Sequence, residues 1–329
     1  MSNHLVFVIA LALIFQFLNG MRDSSNIVAT MIYSRAFRPR SALIITAFAE
    51  FFGPFLFGVV VARTIGGDII DSRQLDLNAL IACLLGAILW NLFTWFFALP
   101  SSSSHALIGG LIGVVAYSTG MDAIKIDGLK KVFFGLLISP FIGFALGFIV
   151  LRLIYFFAQN ASPNINAFFK RGQLVTAIGL GLSHGTNDAQ KIMGVIALSL
   201  VIGGTLDEFN IPFWVILISA AAMALGTAFG GWRLIHTLGG KFYKVRPVHG
   251  FATQMTSALV ILFSSLLGAP VSTTQVVSSA IVGVGSSERL GKVRWGVTRD
   301  IALAWIVTIP VSAICSAVIY LLIEALQNV

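Results

Sequence analysis

Charge is what this sequence has least of. Asp, Glu, Lys and Arg make up 10% of its 329 residues, where soluble domains carry roughly 25%. With 57% hydrophobic residues and a mean hydropathy of +0.93, the chain leaves no room for a soluble catalytic domain. Cysteine is nearly missing as well. Cys83 and Cys315 both lie inside apolar segments without metal-ligand spacing, so they read as buried small hydrophobes. Acids are fewer than bases, 13 against 21, yet the surplus of +8 does not point to nucleic acid. The basic residues fall in short loops between apolar segments, as the positive-inside bias requires. Nucleotide loops are missing too: Gly109-Gly110 with Gly113, and the run from Gly226 to Gly231, permit close helix packing instead.

What is present is a succession of apolar runs of roughly 18 to 25 residues, the length that crosses a hydrocarbon core. The fold expected is an all-α polytopic membrane protein of about ten membrane segments. Residues 5–18 have the length of a signal-peptide core but no basic flank, and are read as a retained first helix. Arg35, Arg38 and Arg40 stand in a loop without acids, which places it inside. The loop with Arg63, Asp68, Asp71, Arg73 and Asp76 is assigned outside, as is Asp207-Glu208. The connection 231–250, with Arg233, Lys241, Lys244 and Arg246, and the loop with Arg289, Lys292, Arg294 and Arg299 are assigned inside, and both termini outside.

One polar run stands out. Residues 183–191, Ser-His-Gly-Thr-Asn-Asp-Ala-Gln-Lys, lie between apolar stretches, and a hydrocarbon setting tolerates such a run only where it lines a cavity or holds a ligand. Gly185, Thr186 and Ala189 predict a helix interrupted at that point, with freed backbone groups available as ligands. Asn19 to Asp23 predict a similar polar break in the first segment, with helix resuming at residues 27–33. Elsewhere, Pro100 followed by four serines and His105, and Pro270 followed by Val271, Ser272, Thr273, Thr274 and Gln275, read as the tips of two helical hairpins.

These features repeat. Gly185-Thr186-Asn187-Asp188 follows Gly20-Met21-Arg22-Asp23 by 165 residues, and the second Pro-hydroxyl stretch follows the first by 170. Internal repeats with interrupted helices mark secondary transporters, and the loop charges give the copies opposite orientations. The expected organisation is a first inverted repeat at 1–157, a polar linker at 158–172 and a second inverted repeat at 173–329.

On these motifs the chain resembles the inorganic phosphate transporter (PiT) family, whose Gly-x-Asn-Asp motif opens each repeat and whose second copy extends as His-Gly-x-Asn-Asp-x-Gln-Lys. His184 to Lys191 match that extension throughout, and the family's Pro-x-Ser-Thr-Thr-His hairpin is matched closely at 270–275 and loosely at 100–105. Two positions depart from the pattern: Arg22 stands in place of asparagine and Gln275 in place of histidine. The resemblance implies a secondary active transporter, not an enzyme, importing inorganic phosphate by alternating access as a symport with protons or sodium. It also implies a homodimer; the lack of a targeting extension or large loops leads to the expectation of a bacterial or archaeal plasma (inner) membrane, and no cofactor or nucleic-acid partner is expected. A sulfate permease of the same fold is the alternative, followed by an anion channel and by an intramembrane hydrolase built on Ser104, His105 and Asp23.

A tetrahedral anion in a desolvated pocket needs several donors and positive charge. The candidate anion-binding residues are Ser101, Ser102, Ser103, Ser104, Asn187, Asp188, Gln190, Lys191, Ser272, Thr273, Thr274 and Arg22, helped by amides at the start of each second hairpin arm. The candidate ion-coupling residues are Asp23, Asn26, Asp188 and Glu50, with a sodium site formed from Asp23, Asn26, Asn187 and Asp188. The carboxylates can instead accept a hydrogen bond from protonated phosphate or pair internally with Lys191 or Arg22. Arg22 is open to three roles: clamping the anion, neutralising Asp23, or reaching an interface. That fixed cation beside Asp23 leans the expectation toward protons. Glu50 is either a proton carrier, a neighbour of the cation or a paired carboxyl. His184 belongs to the site, and His105 is either a ligand or a structural imidazole.

Overall fold

The structure, a computed structural model, describes residues 2–70, 74–162 and 164–327. Asp71 and Arg73, assigned above to an outer loop, lie outside these residues. Among the described residues the fold is all-helical apart from one isolated bridge between Ile70 and Ile124. The helices are α1 (Asn3–Tyr33), α2 (Pro39–Phe57), α3 (Val60–Arg63), α4 (Leu77–Phe96), α5 (Ser103–Ser118), α6 (Ile126–Phe157), α7 (Ile165–Ile202), α8 (Phe213–Phe229), α9 (Trp232–Gly240), α10 (Pro247–Leu266), α11 (Thr273–Glu288) and α12 (Trp295–Gln327).

Five of them, α1, α2, α4, α6 and α12, are long and apolar enough to cross a membrane, and α8 with α9, bent by 70°, makes a sixth. Helix α7 is longer than any of these at 38 residues, but its ionisable run lowers its hydropathy. Helices α5 and α11 have 16 residues each, about 24 Å of helix. Each is the second arm of a hairpin, α4–α5 or α10–α11. In the first hairpin the arms run antiparallel: Thr94 meets Ser101 near the tip and Cys83, further back on α4, meets the Leu107 carbonyl of α5. Serines start both second arms: the Ser102 hydroxyl accepts from the His105 amide at 3.1 Å, and the Ser272 hydroxyl from the Gln275 amide at 3.3 Å. The proline before each serine stretch cannot donate to a helix, which fixes the break at the tip.

The expected interruption in the polar run is absent: α7 is continuous through Gly185, and α1 through Asn19 to Asp23. No proline falls in either run, and the glycines serve packing instead. A Cβ on Gly185 would drive into the Glu50 carbonyl of α2, and one on Gly20 into the Met223 carbonyl of α8. The breaks fall in those neighbours. Gly58 (φ 80°) ends α2 before the short α3 and a single π-type turn at Thr64–Asp68, and Gly230 (φ 78°) separates α8 from α9. Positive φ at these two positions suits only glycine. The long helices patch the breaks: Gln190 of α7 donates to the Gly58 carbonyl at 2.5 Å and accepts from the Ala62 amide at 3.1 Å, while Ser24 of α1 accepts from the Gly231 amide at 2.9 Å. Helix α7 starts at Ile165, within the stretch read as a polar linker, and carries Lys170 and Arg171 in its opening turns.

Candidate functional site

The middles of α1 and α7 meet both hairpin tips, and this junction holds the molecule's buried charge. Arg22, Asp23, Glu50, His184, Asp188 and Lys191 are each between 0% and 4% exposed, as are Ser101 to His105 and Ser272 to Gln275. The junction is therefore closed to bulk solvent in this conformation. Polar groups so deeply buried must find partners within the protein, and their pairing defines the site.

At the second tip, Asn187 grips the backbone of Val271 from both sides: its amide donates to the Val271 carbonyl at 2.9 Å and its Oδ1 accepts from the Val271 amide at 3.3 Å. Lys191 donates to the same carbonyl at 2.8 Å and to Ser104 Oγ, on the opposite tip, at 2.5 Å. Lys191 is ion-paired with Asp188, one helical turn away. Asp188 Oδ2 accepts from Thr273 at 2.7 Å. Across the site, Asp23 accepts from Thr274 at 3.3 Å and from Ser103 at 3.3 Å, and Asn26 donates to Thr274 at 3.1 Å. Each aspartate is thus held by hydroxyls at the start of a hairpin arm.

The first tip is held differently. The Arg22 guanidinium bonds Asn91 of α4, Thr94 Oγ1 at 3.4 Å, the Ser101 carbonyl at 3.3 Å and Ser101 Oγ at 2.8 Å. At 1% exposure it does not reach an interface. Among the described residues it makes no direct ion pair with Asp23, and its direct partners are the α4 end and the tip. Ser102 is spent on capping α5 and faces His105 Nδ1 at 2.7 Å, which gives His105 a structural partner. Ser272 caps α11 in the same way.

Glu50 and His184 extend the site away from the tips. His184 Nδ1 lies 2.8 Å from Glu50 Oε1 and its Nε2 lies 3.0 Å from Asp188 Oδ2, while Thr227 of α8 donates to Glu50. Glu50 is therefore a paired carboxyl one imidazole removed from Asp188. Gln190, placed among the anion ligands by sequence, stands apart with both ends of its amide committed at the Gly58 break. The hydrolase reading also fails on geometry, since Ser104 is engaged by Lys191 and the Val271 carbonyl rather than by His105. Asn91, Thr94, Thr227 and Val271 were not anticipated. Asn91, a lone amide within an apolar helix, carried the one usable signal.

For a cation, Asp23, His184 and Asp188 offer ligand atoms all within 4.8 Å of one another. A hard ion takes oxygen, and the Asn26 Oδ1, buried and without a donor, adds a neutral oxygen on the same face of α1. Of the donors at this junction, the hydroxyls of Ser103, Thr273 and Thr274 and the Lys191 ammonium are held by the two aspartates, while Ser102 and Ser272 cap the two helix starts.

Such a centre, buried in a bundle with five or six helices long and apolar enough to cross a membrane, defines a polytopic membrane protein with a charged interior. The profile of the phosphate transporter family matches residues 19–316, and the chain belongs to that family. It is 43% identical over 318 residues to a probable low-affinity inorganic phosphate transporter of Rhizobium meliloti (strain 1021), covering 96% of this chain and 95% of that one. A protein of the same description from Bacillus subtilis (strain 168) is 41% identical, with 97% of each chain covered. In fold, the chain matches a solved structure described as the sodium-dependent phosphate transporter with a TM-score of 0.90, at 24% identity, over 98% of this chain and 100% of that one.

Proposed function

We propose that this protein imports inorganic phosphate as a secondary active transporter, with the anion bound between the two hairpin tips and driven by a cation that enters at Asp23 and Asp188. One observation carries the proposal: the donors an anion needs, the hydroxyls of Ser103, Thr273 and Thr274 and the ammonium of Lys191, are held by the two carboxylates. A cation on those carboxylates releases the donors to the anion, and without it they stay occupied. Anion and cation binding are then coupled by competition for the same groups.

Sodium is favoured by the oxygen set, Asp23, Asp188 and Asn26 Oδ1, and by Arg22 being turned away toward α4. A proton is the second reading, supported by the Glu50–His184–Asp188 line. Phosphate near neutral pH keeps a proton to donate to a carboxylate and sulfate does not, which disfavours the sulfate alternative here.

Packing supports an inverted repeat that alternates access. Gly20 of α1 seats on α8 as Gly185 of α7 seats on α2. Likewise, α5 packs on α12 as α11 packs on α6. Asn26 reaches the second tip and Lys191, 165 residues later, reaches the first. In this reading α1, α2, α4 to α8 and α10 to α12 form ten membrane segments, and the repeats divide between α6 and α7. The setting is a bacterial or archaeal plasma membrane.

The test is uptake of labelled phosphate by purified protein in liposomes under imposed sodium or proton gradients, with unlabelled sulfate as competitor. Accumulation that follows one gradient and resists sulfate is the expected outcome. Sulfate entering while phosphate stays out would transfer the site to the other anion.

A further inference from the structure

Helix α1 carries polar residues at 16, 19, 23, 26 and 30, a spacing of three and four that puts them on one face. Gln16, Asn19, Asp23, Asn26 and Thr30 are each no more than 2% exposed. That face looks into the junction, since Asp23 and Asn26 meet the hairpin hydroxyls. From Gln16 to Thr30 it extends about 21 Å, far beyond the site itself.

The residues of this face above and below the site share a feature with Asn26 Oδ1 within it: buried polar atoms without a partner. Both ends of the Gln16 amide, Asn19 Oδ1 and Thr30 Oγ1 have no partner among the described residues. Amides that tie this bundle together are bonded: Gln173, Gln190 and Gln254 all have partners on neighbouring helices. Threonines within helices return their hydroxyls to the preceding turn, as Thr46, Thr94 and Thr308 do. Thr30 does not. Beside it, α10 bonds α1 through Gln254 and the Ile27 carbonyl at 3.3 Å, and there carries Thr253, Thr256 and Ser257 with buried, unpartnered hydroxyls. Buried polar groups left unpaired by protein are satisfied by water or by a polar solute. Around Gln16 the packing is apolar, with Leu11, Ala12 and Phe15 in the core, so nothing local explains an amide there.

We propose that this face of α1 is a hydrated track for the anion, with Gln16 and Asn19 serving the half of the path on one side of the site and Thr30, with the α10 hydroxyls, the half on the other. The inference rests on the reading of the junction as a transport site and extends it to residues that no motif marks.

Single cysteines at Gln16, Thr30 and, as a control on another face of α1, Val28, in a background of Cys83→Ala and Cys315→Ala, test it with a small charged thiol reagent in proteoliposomes. Gln16→Cys and Thr30→Cys should react at least about tenfold faster than Val28→Cys, because thiolate chemistry needs water at the site. Rates no faster than Val28→Cys at either position overturn the track on that side. Independently, Gln16→Met and Thr30→Val should leave the melting temperature unchanged or raised, since an unpaired polar group is replaced by an apolar one of similar shape, while lowering phosphate uptake about tenfold, the scale of one lost hydrogen bond. Unchanged uptake in both variants overturns the proposal. If the parent protein moves no phosphate at all, the transport reading fails, and the thiol rates still report whether the track is wet.

Discussion

The two hairpin tips do the same work with different chemistry. The sequence repeat pairs Arg22 with Asn187, and each side chain holds the backbone carbonyl that follows the tip proline: Asn187 holds Val271 and Arg22 holds Ser101. The asparagine also accepts from Ser265 of α10 at 3.5 Å, a single contact to the first arm of its hairpin. The arginine also reaches Asn91 and Thr94 of α4, fastening the tip to its own first arm. A charge in the motif is therefore no sign by itself of a charge on the ligand. On α7 the cation that meets both tips is Lys191, whose counterpart on α1 is the neutral Asn26. A scaffold of paired parts thus places the positive charge that meets both tips on one half.

The largest effect separating the halves is expected from Asp188. Asp188→Asn leaves Lys191 buried without its counter-ion, a loss of about 3–5 kcal/mol, and abolishes phosphate uptake; Asp188→Asn with Lys191→Met should recover thermal stability in detergent but not transport. A double variant as unstable as the single would show that the Lys191 charge is held by the tip alone. Next come the glycine seats. Gly185→Ala and Gly20→Ala should each cost about 1–3 kcal/mol by overpacking against a carbonyl, read as lowered melting temperatures. A loss at only one of them would break the pairing of α7–α2 with α1–α8. Arg22→Asn should cost about 1.5–3 kcal/mol, the range for hydrogen bonds to a charged group. The KM for phosphate should stay within about threefold, and a KM raised tenfold, about 1.4 kcal/mol of binding, would return Arg22 to the ligand shell. Smallest is Gln190→Leu, which should lower stability by about 1–2 kcal/mol through the unpatched break at Gly58, without moving the KM.

The motif-bearing residues were legible in the sequence because chemistry leaves few reasons for polar groups in apolar helices. Asp23, Asn26, Asp188, Lys191, Ser103, Ser104, Thr273 and Thr274 are brought together at one junction. The hairpin tips were legible through proline. What misled was glycine: Gly185 reads alike as a helix breaker and as a helix seat, and only the position of the Glu50 carbonyl decides between them. Gln190 misled for a related reason. It lies between Asp188 and Lys191 in sequence but on another face of α7, toward α3. The grip of Arg22 on Asn91 depends on residues 69 apart in the chain, beyond the reach of any local pattern.

The ion pair between Asp188 and Lys191 lies within one turn of α7, which bears on how the protein is made. A helix emerging into the bilayer carries its charges alone until its neighbours arrive, and an unmatched ion there is expensive. Because these two neutralise each other along a single continuous helix, the middle of α7 gains no net charge from them before α10 and α11 have been synthesised. Pairing within one turn therefore lowers the cost of placing two ionisable side chains in the membrane before the tip that Lys191 also meets is in place.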